Sequence, residues 1–283
     1  MVFKTHKTLT SKVKEFKTKG LSTGFVPTMG ALHKGHLSLM EQALESNDIL
    51  AVSIFVNPTQ FDNTGDLEKY PRTVEQDVSL IYEAFGKEKV IIYTPTVKDI
   101  YGHSPVSKKY NYDGLEHVME GANRPGHFDG VGTILEFLFH KVQPDAAYFG
   151  EKDFQQLQIV KKLVEKLELP IAIIGCAIKR EPHGLAMSSR NERLSSDSRE
   201  YAAFIHKSLV KARAHFKNHS IPDTIAMVES LYHNQSRLKL EYFTITSEET
   251  LVPVKRKYHK HTYRAFIVAH IEDVRLIDNL RLS

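Results

Sequence analysis

The 283-residue chain has few of the features that mark secreted and membrane proteins. It contains a single cysteine, Cys176, which excludes an intramolecular disulfide and hence a secreted disulfide scaffold. The uncharged run from Ile49 to Phe61 contains Pro58 and is too short to span a bilayer. The lysine-rich N-terminal segment lacks both an apolar signal core and the arginines of a transit peptide. We therefore expect a soluble cytoplasmic protein with no membrane partner.

An excess of charge of one sign is also missing. The sequence has 38 Lys+Arg against 34 Asp+Glu, a net charge of +4. This excess alone is too small to indicate a nucleic-acid partner, although it is compatible with an anionic substrate. Hydrophobic residues make up 41% and charged residues 25%, as in ordinary globular proteins. The length suits one large domain or two modest ones.

Short apolar runs alternate with helical patterns in the first part of the chain. Leu37, Met40 and Leu44, for example, recur at the spacing of one helix face. Strands with continuous apolar sequence, separated by helices, predict an α/β fold with a parallel sheet covered on both faces. The predicted buried strands are Gly24–Pro27, Ile49–Val56, Val90–Tyr93, Ala146–Phe149 and Ile171–Ile178.

The pattern changes after about residue 178. A long helix is predicted from Ser196 to Phe216, and Pro222 opens another. Two strand-like runs follow, Leu240–Ile245 and Ala265–Ile271. We therefore predict two domains, residues 1–178 and a smaller α+β domain of residues 179–283.

The segment Phe25–His36 (FVPTMGALHKGH) follows the first predicted strand. A helix is predicted to begin near His36, and a helix N-terminus offers N–H groups to phosphate. His33 and His36 can point to the same side, while Gly35 lets a ligand approach the backbone. A phosphate site is therefore predicted, with two surface histidines beside a turn as the alternative. Zinc is a weaker interpretation, because no cysteine or carboxylate cluster completes a ligand set.

Two amides follow the second strand. Asn57 and Gln60 should lie at the same sheet edge, where amides recognise hydroxyl or carboxylate groups without adding charge. On its own, Asn57-Pro58 is more typical of a simple turn.

Two further segments carry positive charge. After a predicted strand, Lys152 opposes the dipole of the predicted helix, which favours a nearby phosphate, although a solvated lysine is an equal alternative. The acids on either side of it, Glu151 and Asp153, have the charge that the dipole at a helix N-terminus favours. In Arg180–Asn191, Gly184 provides a hinge and Arg190 a charge, a composition found in loops that close over nucleotides and also in plain polar loops.

Six runs together resemble the pantoate–β-alanine ligase family, in its order and spacing. The resemblance covers the chain from Gly24 to Asn279 and rests on these runs: PTMGALHKGH, SIFVNPTQF, EGANRPGHFDGV, PDAAYFGEKDFQQL, GLAMSSRN and RLIDN. His-x-Gly-His alone is shared with the wider nucleotidylyltransferase superfamily. The resemblance implies a Rossmann-type, doubly wound parallel sheet, a small C-terminal lid domain and a homodimer. It also implies two reactions: pantoate and ATP give pantoyl adenylate and diphosphate, and β-alanine then displaces AMP to give pantothenate.

The resemblance also implies roles for single residues. His36 is the implied catalytic residue, and Gln60 and Gln156 are implied to hold pantoate, with Gln60 also near β-alanine. Arg124 is implied to lie near the same cleft. The implied ATP-binding positions are Met29, Gly30, Ala31, Leu32, His33, Lys34, Gly35, His36, Gly150, Glu151, Lys152, Asp153, Lys179, Met187, Ser188, Ser189 and Arg190.

Mg²⁺ is expected to accompany ATP, held by phosphate oxygens and water, so no dedicated protein ligands are predicted. Two positions depart from the family pattern: His183 replaces a common Asp, which bears on loop closure, and Gly102 replaces a common Pro.

Parts of the sequence are also compatible with two other functions. A different nucleotidyl transferase would form a stable dinucleotide. An RNA-binding protein would use the basic segment Lys255–Arg264, which is more often a solvated hairpin.

Overall fold

The computed structural model describes residues 1–61 and 64–283. Close contacts divide the chain into two compact units. The first unit comprises residues 1–151 and 155–176, and the second comprises residues 152–154 and 177–283. This division shows which residues pack closely together, but it does not show that either part folds by itself. The predicted domain limits, 1–178 and 179–283, therefore stay predictions.

The first unit contains a six-stranded sheet in which every pairing is parallel, in the order β1-β4-β3-β2-β5-β6. Strand β2 pairs with β3 on one side and β5 on the other, so strand order reverses beside β2. Ligands of open α/β sheets bind at the carboxyl ends of strands next to such a reversal. The strands are β1 (Val2–Phe3), β2 (Thr23–Thr28), β3 (Ile49–Ile54), β4 (Val90–Tyr93), β5 (Ala146–Gly150) and β6 (Ala172–Cys176).

Helices flank this sheet, as predicted. The helix face predicted from the spacing of Leu37, Met40 and Leu44 belongs to the helix Lys34–Ser46, where Met40 is buried and the two leucines pack against the core beside the sheet. The helices are α1 (His6–Thr18), α2 (Lys34–Ser46), α3 (Thr64–Lys69), α4 (Val74–Phe85), α5 (Val97–Tyr101), α6 (Met119–Asn123), α7 (His127–Val142) and α8 (Phe154–Lys166). Within the described residues, none of the helices has the length and apolar character needed to cross a membrane.

The second unit packs three helices with an antiparallel sheet of order β7-β8-β9. The predicted α+β character is therefore confirmed. Its core includes Ile205 and Leu209 from a helix and Ile267 from the central strand. The elements are α9 (Ser196–Tyr201), α10 (Phe204–Phe216), α11 (Ile221–His233), β7 (Lys239–Ser247), β8 (Tyr263–Ile271) and β9 (Val274–Arg281).

Two predictions about elements are wrong in part. The helix predicted from Ser196 to Phe216 is two helices, because the N–H groups of Ala203 and Ile205 bond to carbonyls only three residues back. The last strand of the parallel sheet was predicted to be buried, yet Ile174 is 38% exposed. Strand β6 is the last in the sheet order and pairs only with β5, which explains its exposed positions.

The single cysteine lies at the end of β6 and is buried. Burial raises the pKa of the Cys176 thiol to about 11, and the charge of Glu151 adds to the effect. The thiol therefore stays protonated and unreactive at neutral pH.

Candidate active site

The loop after β2 stands at the strand reversal and carries the predicted phosphate segment. Strand β2 ends at Thr28 and helix α2 begins at Lys34, within two residues of the prediction. The backbone between them turns sharply, with positive φ at Gly30 (83°) and Ala31 (49°). A Cβ atom on Gly30 would lie only 2.9 Å from Oδ2 of Asp77. The position therefore favours glycine for two reasons, its positive φ and the absence of room for a side chain.

A buried carboxylate holds this loop. Asp77, in the first turn of α4, is 3% exposed. Its Oδ2 accepts from the N–H of Ala31 at 3.0 Å and its Oδ1 from the N–H of Leu32 at 2.8 Å. The hydroxyl of Thr73 donates to Oδ2 as well. The N-terminus of α4 stabilises negative charge, which offsets part of the cost of burying this carboxylate.

The two histidines of the segment cap helix α2. His33 is the N-cap residue, and its Nδ1 accepts from the N–H of Gly35 at 3.1 Å. His36 reaches back, and its Nδ1 accepts from the N–H of His33 at 3.3 Å. The two rings lie 4.1 Å apart between centroids. The structure thus places both imidazoles side by side at the start of the helix, as the spacing predicts.

The two amides after β3 also lie together, as predicted. Asn57 is 1% exposed and donates from Nδ2 to Oε1 of Gln60 at 3.2 Å. The Nε2 group of Gln60 lies 3.0 Å from Sδ of Met29, a residue of the loop after β2. The loops after β2 and β3 therefore meet through Gln60 and Met29.

The main chain of Gln60 is held from helix α7. His127 donates from Nδ1 to the carbonyl of Gln60 at 2.7 Å, and Nη2 of Arg124 donates to the same oxygen at 3.3 Å. The helix approaches closely at Gly130, where a Cβ atom would lie 2.3 Å from the carbonyl oxygen of Thr59. The placement of Arg124 close to this part of the site agrees with what the resemblance implies.

The second predicted substrate amide, Gln156, is half-buried in the first turn of α8. Its neighbour Gln155 has a structural role: it is buried and donates from Nε2 to the carbonyls of Leu115 and Val118, both at 2.8 Å. Of the two adjacent glutamines, only Gln156 is partly exposed to a ligand.

In the second unit, Lys152 lies in the 3-10 turn Glu151–Asp153. Its side chain is 18% exposed, and Nζ lies 3.6 Å from the carboxylate of Asp153. Asn279 of β9 donates from Nδ2 to the carbonyl of Lys152 at 2.9 Å. The oxygen of the same amide accepts from Arg264 at 2.6 Å. The C-terminal strand thus fixes the lysine turn.

The predicted closing loop is a short hairpin in the same unit. Met187 donates its N–H to the carbonyl of Lys179 at 3.0 Å. Inside the hairpin, Arg180 makes a bidentate ion pair with Asp278, at 2.6 and 3.0 Å, and also donates to the carbonyl of Gly184.

Ser188 follows the hairpin and caps the 3-10 turn Ser189–Arg193, its hydroxyl accepting from the N–H of Arg190 at 3.2 Å. Closure of the segment Arg180–Asn191 over a nucleotide stays a prediction.

Several residues that hold the site were missed by sequence analysis. Asp77 lies four residues before the buried Ile81, on the apolar face of a helix that also carries Val74 and Val78. A carboxylate at such a position is expected to be buried and to have hydrogen-bond partners, and this was the available signal. Asp278 and Asn279 belong to the RLIDN run, but their partners are far away in sequence and nothing local identifies them.

In the part of the chain that the structure describes, no three His, Cys, Asp or Glu side chains cluster in a way suited to holding a metal ion. In the first unit, the site residues described above offer imidazole and amide donors, and in the second unit they offer ammonium and guanidinium donors. Groups of these kinds bind anions and hydroxyls and stabilise negative charge that develops on phosphate.

Comparison with known proteins gives one family. Residues 1–281 match the family model for pantoate-beta-alanine ligase. Among curated relatives, the pantothenate synthetase of Flavobacterium psychrophilum is 52% identical over 283 residues, 100% of both chains. The pantothenate synthetase of Bacteroides fragilis is 43% identical over 280 residues, 99% of this chain and 98% of the relative.

Solved structures agree with the sequence relatives. The crystal structure of pantothenate synthetase from Thermus thermophilus superposes with a TM-score of 0.90 at 35% identity, covering 99% of each chain. Pantoate-beta-alanine ligase from Francisella tularensis, complexed with beta-gamma ATP and beta-alanine, gives a TM-score of 0.81 at 34% identity. It covers 100% of this chain and 97% of that one.

Proposed function

The chain belongs to the pantoate–β-alanine ligase family, and on this basis we propose that it joins pantoate to β-alanine and consumes ATP. The protein is accordingly an enzyme, a ligase of pantothenate biosynthesis, and ATP is one of its substrates. The observation that carries this conclusion is the match of the family model over residues 1–281, together with 52% identity over the full length of a curated relative.

We propose that the reaction has two steps. A carboxylate oxygen of pantoate attacks the α-phosphorus of ATP, the bond to the bridging oxygen breaks, and diphosphate leaves. The amine of β-alanine then attacks the acyl carbon of the adenylate, loses a proton, and displaces AMP. Pantoate is a competent nucleophile as its carboxylate, so the protein must mainly position two anions and stabilise charge.

The first unit supplies the groups for the acid and for the reacting phosphate. We assign His36 and His33 to the phosphates, because both imidazoles stand at the start of α2 beside the strand reversal. The amides of Gln60 and Gln156 are assigned to the hydroxyls and carboxylate of pantoate. Residues Met29–Gly35, Gly150 at the end of β5 and Glu151 directly after it are assigned to ATP.

The second unit supplies positive charge and polar contacts. Lys152 and Arg190 neutralise phosphate oxygens in this proposal, and Ser188 and Ser189 donate hydroxyl hydrogen bonds. Asp153, Lys179 and Met187 complete the ATP-binding positions. The anchoring of the Lys152 carbonyl by Asn279 keeps this turn in place within its unit.

We propose that Mg²⁺ accompanies ATP. The donors of the site fit this role, since a Mg²⁺ ion held by phosphate oxygens and water needs few protein ligands. When bound, the ion neutralises phosphate charge. The lysine and arginine side chains of this chain provide the remaining positive charge.

A homodimer in the cytoplasm is also proposed, on the family resemblance. Sedimentation of the purified chain should give twice the mass of 32.3 kDa. A mass of one chain at the concentrations used for assay would contradict the dimer.

Isotope exchange tests the function and the order of its steps. With Mg²⁺ present, exchange of labelled diphosphate into ATP should require pantoate and not β-alanine. Pantothenate and AMP should form only when β-alanine is added. Exchange that demanded β-alanine would contradict the adenylate. A stable dinucleotide product, or salt-dependent RNA binding without ATP turnover, would favour the two other functions considered.

A further inference from the structure

The amide of Asn57 has a fixed polarity. Its Nδ2 lies 3.1 Å from the carbonyl oxygen of Gly130. A backbone carbonyl can only accept a hydrogen bond, so this end of the amide is the NH₂ group. A reversed Asn57 would place two oxygens against each other in a site where the residue is 1% exposed.

The oxygen of Asn57 is held by two hydroxyls. Tyr101, the last residue of α5, donates to Oδ1 at 2.6 Å, and Thr59 donates to the same atom at 3.2 Å. Burial raises the pKa of Tyr101, so its hydroxyl keeps the proton that it donates at neutral pH. Tyr101 and Gly130 therefore restrain opposite ends of one amide.

The orientation of the Asn57 amide determines the orientation of the Gln60 amide. The second hydrogen on Nδ2 of Asn57 points to Oε1 of Gln60, at 3.2 Å, and this atom must accept. The NH₂ group of Gln60 is then at the other end of its amide, 3.0 Å from Sδ of Met29. A thioether is a weak acceptor, so an oxygen of a ligand would replace it with a gain in hydrogen-bond strength.

We propose that Tyr101 is a positioning residue, which acts through Asn57 to orient Gln60 so that its NH₂ group donates to an oxygen of the substrate acid. This inference rests on the proposed function of Gln60. It assigns the NH₂ group of Gln60 to the carboxylate or hydroxyl oxygens of pantoate, which can accept, and not to the ammonium group of β-alanine, which can only donate.

Removing the hydroxyl of Tyr101 tests this inference. In Tyr101→Phe, we expect the KM for pantoate in the diphosphate exchange reaction to rise about fivefold, the effect of loosening one hydrogen bond. The KM values for ATP and, in the full reaction, for β-alanine should change less than about twofold. A rise in the β-alanine KM equal to that for pantoate would overturn the assignment.

A double variant separates positioning from a general structural effect. If Tyr101 acts through Gln60, adding Tyr101→Phe to Gln60→Ala should change the pantoate KM by less than about 1.5-fold. If the two substitutions each raised the pantoate KM by the same factor in the double variant as alone, Tyr101 would not act through Gln60. The matched control is Tyr148→Phe, which removes a hydroxyl that accepts from Asn47 at 2.9 Å, outside this relay, and should leave the pantoate KM unchanged.

A spectroscopic readout needs no turnover. The side-chain amide of Gln60, assigned by its loss in Gln60→Ala, should show a nuclear Overhauser effect to the methyl group of Met29. In Asn57→Asp the carboxylate can only accept, so the Gln60 amide should reverse and this effect should vanish. Its absence from the wild-type protein, or its persistence in Asn57→Asp, would overturn the polarity. Failure of the proposed function would instead abolish wild-type exchange while leaving this signal intact.

Discussion

The Nδ1 atom of His36 accepts a hydrogen bond from the backbone N–H of His33. A nitrogen that accepts carries no proton, so the neutral ring holds its proton on Nε2. The same holds for His33, whose Nδ1 accepts from Gly35. Protonation of either ring would set an N–H group against another N–H group. We therefore expect His36 to act on phosphate through the N–H group at Nε2.

Substitution of His36 separates this chemical role from its capping role. His36→Gln keeps a side chain that can reach the N-cap N–H, whereas His36→Ala does not. Both should slow pantoyl adenylate formation about a hundredfold to a thousandfold in single-turnover assays. Only the alanine variant should also lose about 1 kcal/mol of unfolding free energy. Near-normal adenylate formation in either variant would remove His36 from the mechanism.

Asp77→Asn should disturb the loop after β2 although size is preserved. An amide has one oxygen, so its NH₂ group must face one of the two backbone N–H groups that Asp77 now accepts. We expect the free energy of unfolding to fall by about 1–3 kcal/mol and the ATP KM to rise. Glu75→Gln, an exposed acid in the same helical turn, is the control and should cost less than about 1 kcal/mol. If chemical denaturation showed the same loss of unfolding free energy in both variants, Asp77 would not hold the loop through these hydrogen bonds.

Gly130→Ala should displace the Pro58–Gln60 turn. The new methyl group would meet backbone atoms of Thr59 and Gln60, which cannot move aside as a flexible side chain can. Thermal and denaturant unfolding should show a loss of about 1–3 kcal/mol, and pantoate should bind more weakly. Gly150→Ala is a stability control, because its Cβ would meet nothing within 4 Å. Unchanged stability in Gly130→Ala would show that the turn has room to move.

The second unit should lose stability in mild acid because of His206. Burial, and then the charge of Arg180, lower the pKa of this imidazole below its usual 6.5, while Asp278 acts in the opposite direction and Arg213 adds to the lowering. As the pH falls below 6.5, the unfolded chain binds a proton that the folded chain does not, so the free energy of unfolding decreases.

Denaturation at about pH 7.5 and about pH 5.5 should therefore show a smaller decrease for His206→Gln than for the wild-type protein. An equal pH dependence in the two proteins would mean that His206 titrates normally in the folded state.

Continuous apolar strands made the parallel sheet predictable, because burial on both faces leaves a strong local pattern. Helix α7 was not predicted, since most of its residues are buried, its polar face is narrow (Asp129, Glu136 and His140), and Gly130 and Gly132 lower its intrinsic propensity. Strand β1 has only two residues and depends on pairing with β4. The break at Ala202 and Ala203 is imposed by tertiary packing, because alanine itself favours helix.

The site was predictable where side chains follow strands and helix starts, as for His33, His36, Asn57 and Gln60. What sequence could not provide was the set of supports around them. Asp77 and Tyr101 act on loops far from their own positions, and such contacts follow from tertiary structure alone.

The carboxylate that holds the loop after β2 also affects the order of folding. Asp77 lies 46 and 45 residues along the chain from its partners Ala31 and Leu32. Gly30 and Ala31 have positive φ, so the loop has little local preference for its native conformation. We expect it to form only after helix α4 has docked, because docking closes the chain segment between the loop and Asp77 at a cost in entropy. Competence to bind nucleotide should thus be acquired late in refolding, after most of the secondary structure.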